Sequence, residues 1–271
     1  MFKVNIEKCI GCGLCIKDCL VKDIQMIDGK ANIKNRNCFK CGHCVAICPV
    51  KAVDTDDYNM EDVVEYEKDN FDISAENLLN FIKYRRTIRQ YKEKEVEDEK
   101  LLKIVEAGRF TPTATNSQDV GYVIVKKDIS KLREITVETL KVMGEKILET
   151  SEDKKMRMYA KMWLDMHKAS KENYKKGDGL FYNAPSLIIV TAKNPTNGDL
   201  ASGNMELMTN ALGLGAVYCG FFIVAAEQNK EIGRFLEIQE DRKIVSCLVV
   251  GYPDVKYKRS APRKSAEISW R

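Results

Sequence analysis

The sequence predicts an α+β chain: a small cysteine-rich domain, then a larger α+β domain with a central sheet flanked by helices. Three observations carry this. Eight of the ten cysteines fall before residue 50, in two runs of the same spacing. A strongly acidic stretch follows. Beyond it, segments of helical periodicity alternate with short apolar runs that read as strands. The 271 residues allow about two domains, and a hydrophobic content of 44% suffices for a packed core.

The first run is Cys9-x2-Cys12-x2-Cys15-x3-Cys19 and the second is Cys38-x2-Cys41-x2-Cys44-x3-Cys48. Every cysteine recurs after 29 residues, and Val21-Lys22 recurs as Val50-Lys51. Such a repeat implies two copies of one unit related by a pseudo-twofold. In runs of this spacing, three cysteines wrap one iron–sulfur cubane and the fourth reaches the other cubane. Residues 1–60 therefore read as a two-cluster, bacterial-type ferredoxin domain. Cys9, Cys12, Cys15 and Cys48 are expected to hold one 4Fe–4S cluster. Cys38, Cys41, Cys44 and Cys19 are expected to hold the other. Gly11, Gly13 and Gly42 suit the tight turns. Pro49 follows Cys48, whereas Leu20 stands in the matching place after Cys19. Structural zinc is the competing reading, but it usually takes two CxxC pairs or mixes Cys with His. His43 lies between two ligands of a complete set and is expected to be exposed.

Charge is unevenly spread. Residues 1–60 carry nine basic and seven acidic side chains, and residues 61–76 one and seven, so the remainder must hold +8 to give the net +4. A basic larger domain suits an anionic ligand, and nothing marks a nucleic-acid partner. The longest apolar stretches, Leu187 to Ala192 and Cys247 to Gly251, fall far short of the ~20 residues of a membrane span. The N-terminus has no apolar signal core. A cytoplasmic protein without a membrane partner is expected, in which cysteines serve as metal ligands.

The acidic residues 61–76 read as a linker, within a surface segment over 54–76 that lacks proline and glycine. The larger domain spans 77–271. Ser74 is a plausible N-cap for a helix with Leu78, Leu79, Phe81 and Ile82 on its apolar side. A second helix is expected over about 96–106, with Leu101, Leu102 and Val105 buried and Gly108 as its C-cap. Gly121 to Lys127 alternates as a strand. A long helical stretch fills about 129–175. Ser186 to Ala192 reads as a buried strand, 200–212 and 227–237 as helices, and Lys243 to Tyr252 as a final strand.

Several segments carry chemistry. Arg85-Arg86-Thr87-Ile88-Arg89 could grip a phosphate or form a solvated basic patch. Thr111 to Gln118 is a polar loop. Gly213-Leu214-Gly215 through Gly220 follows a helix and lacks the third glycine of a dinucleotide fingerprint. Arg259, Arg263 and Lys264 form a second basic cluster. In order and separation, Arg85 to Arg89, Pro112 to Gln118, Leu212 to Gly215 and Pro262 to Lys264 resemble the nitroreductase family of flavoenzymes. The likeness covers about 77–271, and ferredoxin–nitroreductase fusions are a known arrangement.

The resemblance implies an FMN-binding homodimer with flavin at the subunit interface. Arg85, Arg86 and Arg89 would contact the phosphate and the polar edge of the ring, and Thr87 stands where serine is common. Pro112, Thr113, Ala114 and Thr115 would approach from the partner chain. Asn116 and Gln118 would hydrogen-bond the ring or ribityl chain, Gly220 would present an N–H near flavin N5, and Arg263 and Lys264 would complete the phosphate site. Asp119 replaces a frequent proline.

Met156, Tyr159, Trp163 and Met166 form one helical stripe, with Met158 and Met162 beside it; core packing and an apolar lid both fit it. His167 is a lone histidine without a required base role, so no catalytic side chain is singled out. Cys247 reads as a core residue, and Cys219 as buried or redox-sensitive. The activity expected is an oxidoreductase. Electrons would pass from reduced ferredoxin or NAD(P)H through the clusters to FMN, and on to a nitro-compound, quinone or activated alkene. An electron carrier or redox-responsive interaction protein with the flavin domain as a relay or docking module, and a flavin-free iron–sulfur protein, are the alternatives.

Overall fold

The structure is a computed structural model and describes all 271 residues, the side chains of 173–177 excepted. The chain forms two compact units. One comprises 1–73 together with 113–117, the other 74–112 together with 118–271.

The smaller unit expresses the 29-residue repeat in its backbone. β1 (Phe2–Val4) pairs antiparallel with β4 (Val53–Thr55), and β2 (Ile24–Ile27) with β3 (Lys30–Ile33). A shift of 29 carries β1 onto β3 and β2 onto β4. The short helices α1 (Leu14–Asp18) and α2 (His43–Ala46) follow the same rule. Each is entered through a left-handed glycine, Gly13 at φ 74° and Gly42 at φ 75°, a conformation glycine adopts without a Cβ penalty. Lys22 and Lys51, also 29 apart, share φ near 50°. The acidic segment beyond carries a 3-10 turn (Met60–Asp62) and α3 (Lys68–Phe71), and residues 61–73 are exposed throughout.

The larger unit has a four-stranded antiparallel sheet in the order β5-β6-β8-β7: β5 (Val120–Val125), β6 (Ser186–Ala192), β8 (Lys243–Gly251) and β7 (Gly215–Tyr218). Every residue of β6 is buried, so both faces must be covered. Ile188 and Val190 meet Leu101 and Ile104 of α5 (Asp98–Arg109) and Met205 of α8 (Pro195–Ala211). Leu187 and Ile189 meet α6 (Ile129–Thr150), α7 (Lys154–Gly177) and α9 (Gly220–Gln228). A period of two in the strand thus sorts the helices into two outer layers. No helix among the described residues is long and apolar enough to cross a membrane.

Several expectations are corrected. The 129–175 stretch is two helices, because Asp153 accepts the N–H of Met156 at 2.8 Å and starts α7. Gly108 is not a C-cap. It lies inside α5, where a Cβ would come within 2.7 Å of the Tyr122 hydroxyl, and Phe110 ends the helix. The expected helix over 227–237 shortens to α10 (Lys230–Phe235), capped by Asn229. β7 and α9, between 215 and 228, had no expected counterpart. Ser74 does cap α4 (Ala75–Tyr84), accepting from Asn77 N–H at 3.1 Å. Leu78, Leu79, Phe81 and Ile82 are nevertheless exposed within the single chain.

Residues 85–89 run along the free edge of β7. Thr87 bridges Ala216 in parallel, and Ile88 N–H donates to Ala216 C=O at 2.9 Å. This approach needs a bare α-carbon opposite: a Cβ on Gly215 would overlap the Ile88 side chain. Gly215→Ala should therefore destabilise the protein by about 1–3 kcal/mol and loosen the arginine segment. Denaturant unfolding checks it, and an unchanged midpoint would refute the packing account.

Candidate functional site

Two groups of residues stand out, one in each unit. In the smaller unit Cys9, Cys12, Cys15 and Cys48 line one cavity with Gly11 and Gly13. Burial raises the Cys15 thiol, with Cys12 and Cys48 as neighbouring charges. Cys44 is pushed up to about 12 by burial, with Cys38 and Cys41 beside it. Cys19 Sγ accepts Asp23 N–H at 3.3 Å, and Cys48 Sγ, its repeat mate, accepts Ala52 N–H at 3.2 Å. Deprotonating crowded thiols without a cation is costly, and metal ligation supplies the compensation. Among the described residues no three His, Cys, Asp or Glu side chains converge on a single-ion site. Cys9, Cys12, Cys15 and Cys48 instead stand around a space, which suits a multi-iron group. His43 is exposed and lies 3.3 Å from Asp18.

In the larger unit the arginine segment, β7 and the start of α9 form the second group. Arg85 Nη1 is paired with Glu206 of α8, and both side chains are largely covered. Burial pushes the Glu206 carboxyl up, against the pull of Arg85. Arg86 Nη1 donates to the Arg85 carbonyl, while its Nη2 is buried with no hydrogen-bond partner. An unmatched buried guanidinium N–H is costly, and an anion would satisfy it. Tyr218 O–H donates to Ser202 C=O at 2.7 Å, and Ser202 and Ser246 hydroxyls meet at 2.5 Å. Ser202, Tyr218, Ser246 and Gly220, with Asp199 and Glu227, line a cleft of about 430 Å³ that the arginines do not reach. A Cβ on Gly220 would meet nothing within 4 Å, so the space beside the first residue of α9 is open.

The other expected site residues are placed as follows. Arg89 is exposed, its guanidinium 6.0 Å from the Tyr182 ring centre. Pro112 and Gln118 belong to the larger unit, whereas Thr113, Ala114, Thr115 and Asn116 count with the smaller. The Asn116 amide donates to the carbonyls of Phe39 and Lys40, at 3.0 Å each. Arg263 and Lys264 lie on an exposed tail, and no hydrogen bond or ion pair among the described residues joins them to Arg85, Arg86 or Arg89. His167 is tied to Glu138 at 2.9 Å and fastens α7 to α6. Trp163 and Met166 are core residues and Trp163 packs edge-on against Phe221, while Met156, Met158 and Met162 are exposed.

Three residues of these surroundings went unforeseen. Glu206 and Tyr218 gave no motif. Asp119 takes the role of an N-terminal anchor for α8: its carboxylate accepts Asn194 N–H at 2.7 Å and Asn197 Nδ2 at 2.6 Å, favourable at a helix N-terminus.

A family model described as "Nitroreductase family" matches residues 82–252. The chain belongs to the nitroreductase family. A second model, "4Fe-4S dicluster domain", matches residues 1–49. This nitroreductase-family oxidoreductase therefore carries an N-terminal dicluster domain. It is 26% identical over 190 residues to a protein of Methanothermobacter thermautotrophicus assigned provisionally as an NADH dehydrogenase/NAD(P)H nitroreductase, covering 67% of this chain and 80% of that one. A like-named protein of Archaeoglobus fulgidus is 25% identical, covering 66% and 86%. The crystal structure of a Bacteroides fragilis nitroreductase with bound FMN shares the fold at TM-score 0.55 and 20% identity, over 71% of this chain and 98% of that one.

Cys219 and Cys247 lie outside the cysteine runs and are buried. Burial pushes the Cys219 thiol up to about 12, so it stays protonated at neutral pH. Native protein treated with iodoacetamide should show neither residue alkylated in peptide maps. Labelling of Cys219 at the rate seen in denatured protein would contradict this.

Proposed function

We propose that this nitroreductase-family member is an iron–sulfur flavoprotein. It takes electrons from an external donor and reduces an organic acceptor such as a nitro-compound, quinone or activated alkene. The observation that carries the reading is the buried, unpartnered Nη2 of Arg86, in a chain whose other unit gathers eight cysteines by a 29-residue repeat. When bound, the clusters supply single-electron transfer, and FMN supplies two-electron storage.

The residues divide the work. Cys9, Cys12, Cys15 and Cys48 hold one 4Fe–4S cluster, and Cys38, Cys41, Cys44 and Cys19 the other. Arg86, with Arg85 held ready by Glu206, binds the FMN phosphate; Thr87 and Arg89 line the same approach. Gly220 presents its N–H to the flavin ring. In a cytoplasmic homodimer, Pro112, Thr113, Ala114 and Thr115 close the pocket from the partner chain, and Gln118 hydrogen-bonds the flavin ring or ribityl chain. Arg263 and Lys264 reach the phosphate when the tail docks. Asn116 Nδ2 is engaged by the Phe39 and Lys40 carbonyls, so its contact with the flavin ring or ribityl chain falls to Oδ1. NAD(P)H as donor is supported by the assigned names of the two relatives, and reduced ferredoxin by the cluster domain.

Anaerobic, reduced protein mixed with a nitro-aromatic, a quinone and an enone should reoxidise with turnover for at least one. Failure with every acceptor would favour a carrier protein instead. Arg86→Ala should weaken FMN binding roughly 10- to 100-fold, the loss of one charged hydrogen bond of about 1.5–3 kcal/mol. The cluster spectrum should be unchanged; unaltered flavin affinity would sink the assignment. Cys19→Ser should damage the cluster of Cys38, Cys41 and Cys44. Loss of the other cluster alone would overturn the crossed ligation.

A further inference from the structure

The Asn116 side chain sits within the smaller unit, although the segments on either side of its loop belong to the larger. Its Nδ2 donates to the carbonyls of Phe39 and Lys40, both at 3.0 Å. Phe39 C=O and Lys40 N–H are the two ends of one peptide group, and Lys40 N–H points to Cys38 Sγ at 3.4 Å. The three groups form a chain: amide to carbonyl, through the peptide, and from N–H to sulfur. Hydrogen bonds in such a chain polarise one another and strengthen. The loop carries a conformational cost: Thr115 and Asn116 are left-handed, with φ 52° and 54°. Asparagine accepts that region better than most residues, whereas a β-branched threonine there is an outlier.

The first cysteine run lacks this arrangement. Cys9 has the equivalent backbone bond from Gly11, 29 residues before Lys40. Yet among the described residues no side chain donates to the Ile10 or Gly11 carbonyl. The repeat is symmetric in its ligands and asymmetric at this peptide.

We propose that Asn116 is a positioning residue for the cluster of Cys38, Cys41, Cys44 and Cys19, and raises the reduction potential of that cluster alone through the Phe39–Lys40 peptide. N–H bonds to cluster sulfur stabilise the more negative reduced state. Removing Asn116 weakens the N–H···S bond and drives the potential down.

The proposal rests on the two-cluster reading. Iron and sulfide analysis of the unaltered protein tests that reading first and separately. The experiment is then an EPR-monitored redox titration of the anaerobic full-length protein, with its two signals assigned by Cys12→Ser and Cys41→Ser. Asn116→Gly tolerates the left-handed backbone and removes the amide; Asn116→Asp keeps the shape and removes the donor. If Asn116→Gly loses iron, Asn116→Ser replaces it. Both variants should shift the Cys38 cluster to more negative potential and leave the Cys9 cluster in place. No shift, an equal shift of both clusters, or a shift in Asn116→Asp alone, which would be a simple charge effect, overturns the proposal.

Discussion

The larger unit depends on one close approach, that of Ile88 to the bare α-carbon of Gly215. It lets residues 85–89 lie along the edge of β7 and share a backbone hydrogen bond with Ala216. From that alignment the rest of the site follows. Arg85 comes to Glu206 on α8, Arg86 tucks behind it with one nitrogen unmatched, and β7 leads after Tyr218 into the exposed N-terminus of α9. A side chain at 215 would push the arginines off the sheet edge. The placement of the arginines is thus a consequence of sheet packing more than of their own preferences.

The smaller unit answers to a different constraint. Its buried apolar set is small, with Cys9, Ile24, Ala31 and Ala52 at its centre. So slight a core gives limited stability, and units of this size generally draw on metal or cross-links. Cys9, Cys12, Cys15 and Cys48 line a space that side chains do not fill, and a bound cluster would complete the interior there. Lys22, Lys40 and Lys51 adopt left-handed backbone there, a cost the chain accepts in order to bend tightly around the ligands.

Much of this was legible in the amino-acid order, and for physical reasons. The cysteine spacing and its 29-residue echo survive folding because ligand geometry tolerates no insertion. Ser186 to Ala192 and the cap at Ser74 were equally plain, since strand length and N-cap chemistry are local. Other features were hidden. α9 is apolar around most of its surface (Phe221, Phe222, Ile223, Val224), so it has no polar face to reveal a helical period. Gly108 imitates a helix end but is small because Tyr122 and Met205 crowd it. Glu206 pairs with Arg85, 121 residues away, and the Asp119 carboxylate with Asn194 and Asn197 at the start of α8. The bonds of Asn116 to Phe39 and Lys40 are tertiary and leave no local trace.

The central claim is that one chain carries two iron–sulfur clusters and a flavin. Anaerobic purification followed by iron, sulfide, zinc and flavin analysis, with Mössbauer spectra of the iron, tests it most directly. The account predicts about eight iron and eight sulfide per chain in cubane clusters, together with roughly one FMN. Zinc in place of iron, iron sufficient for only one cluster, or a chain that neither retains nor takes up FMN would contradict it.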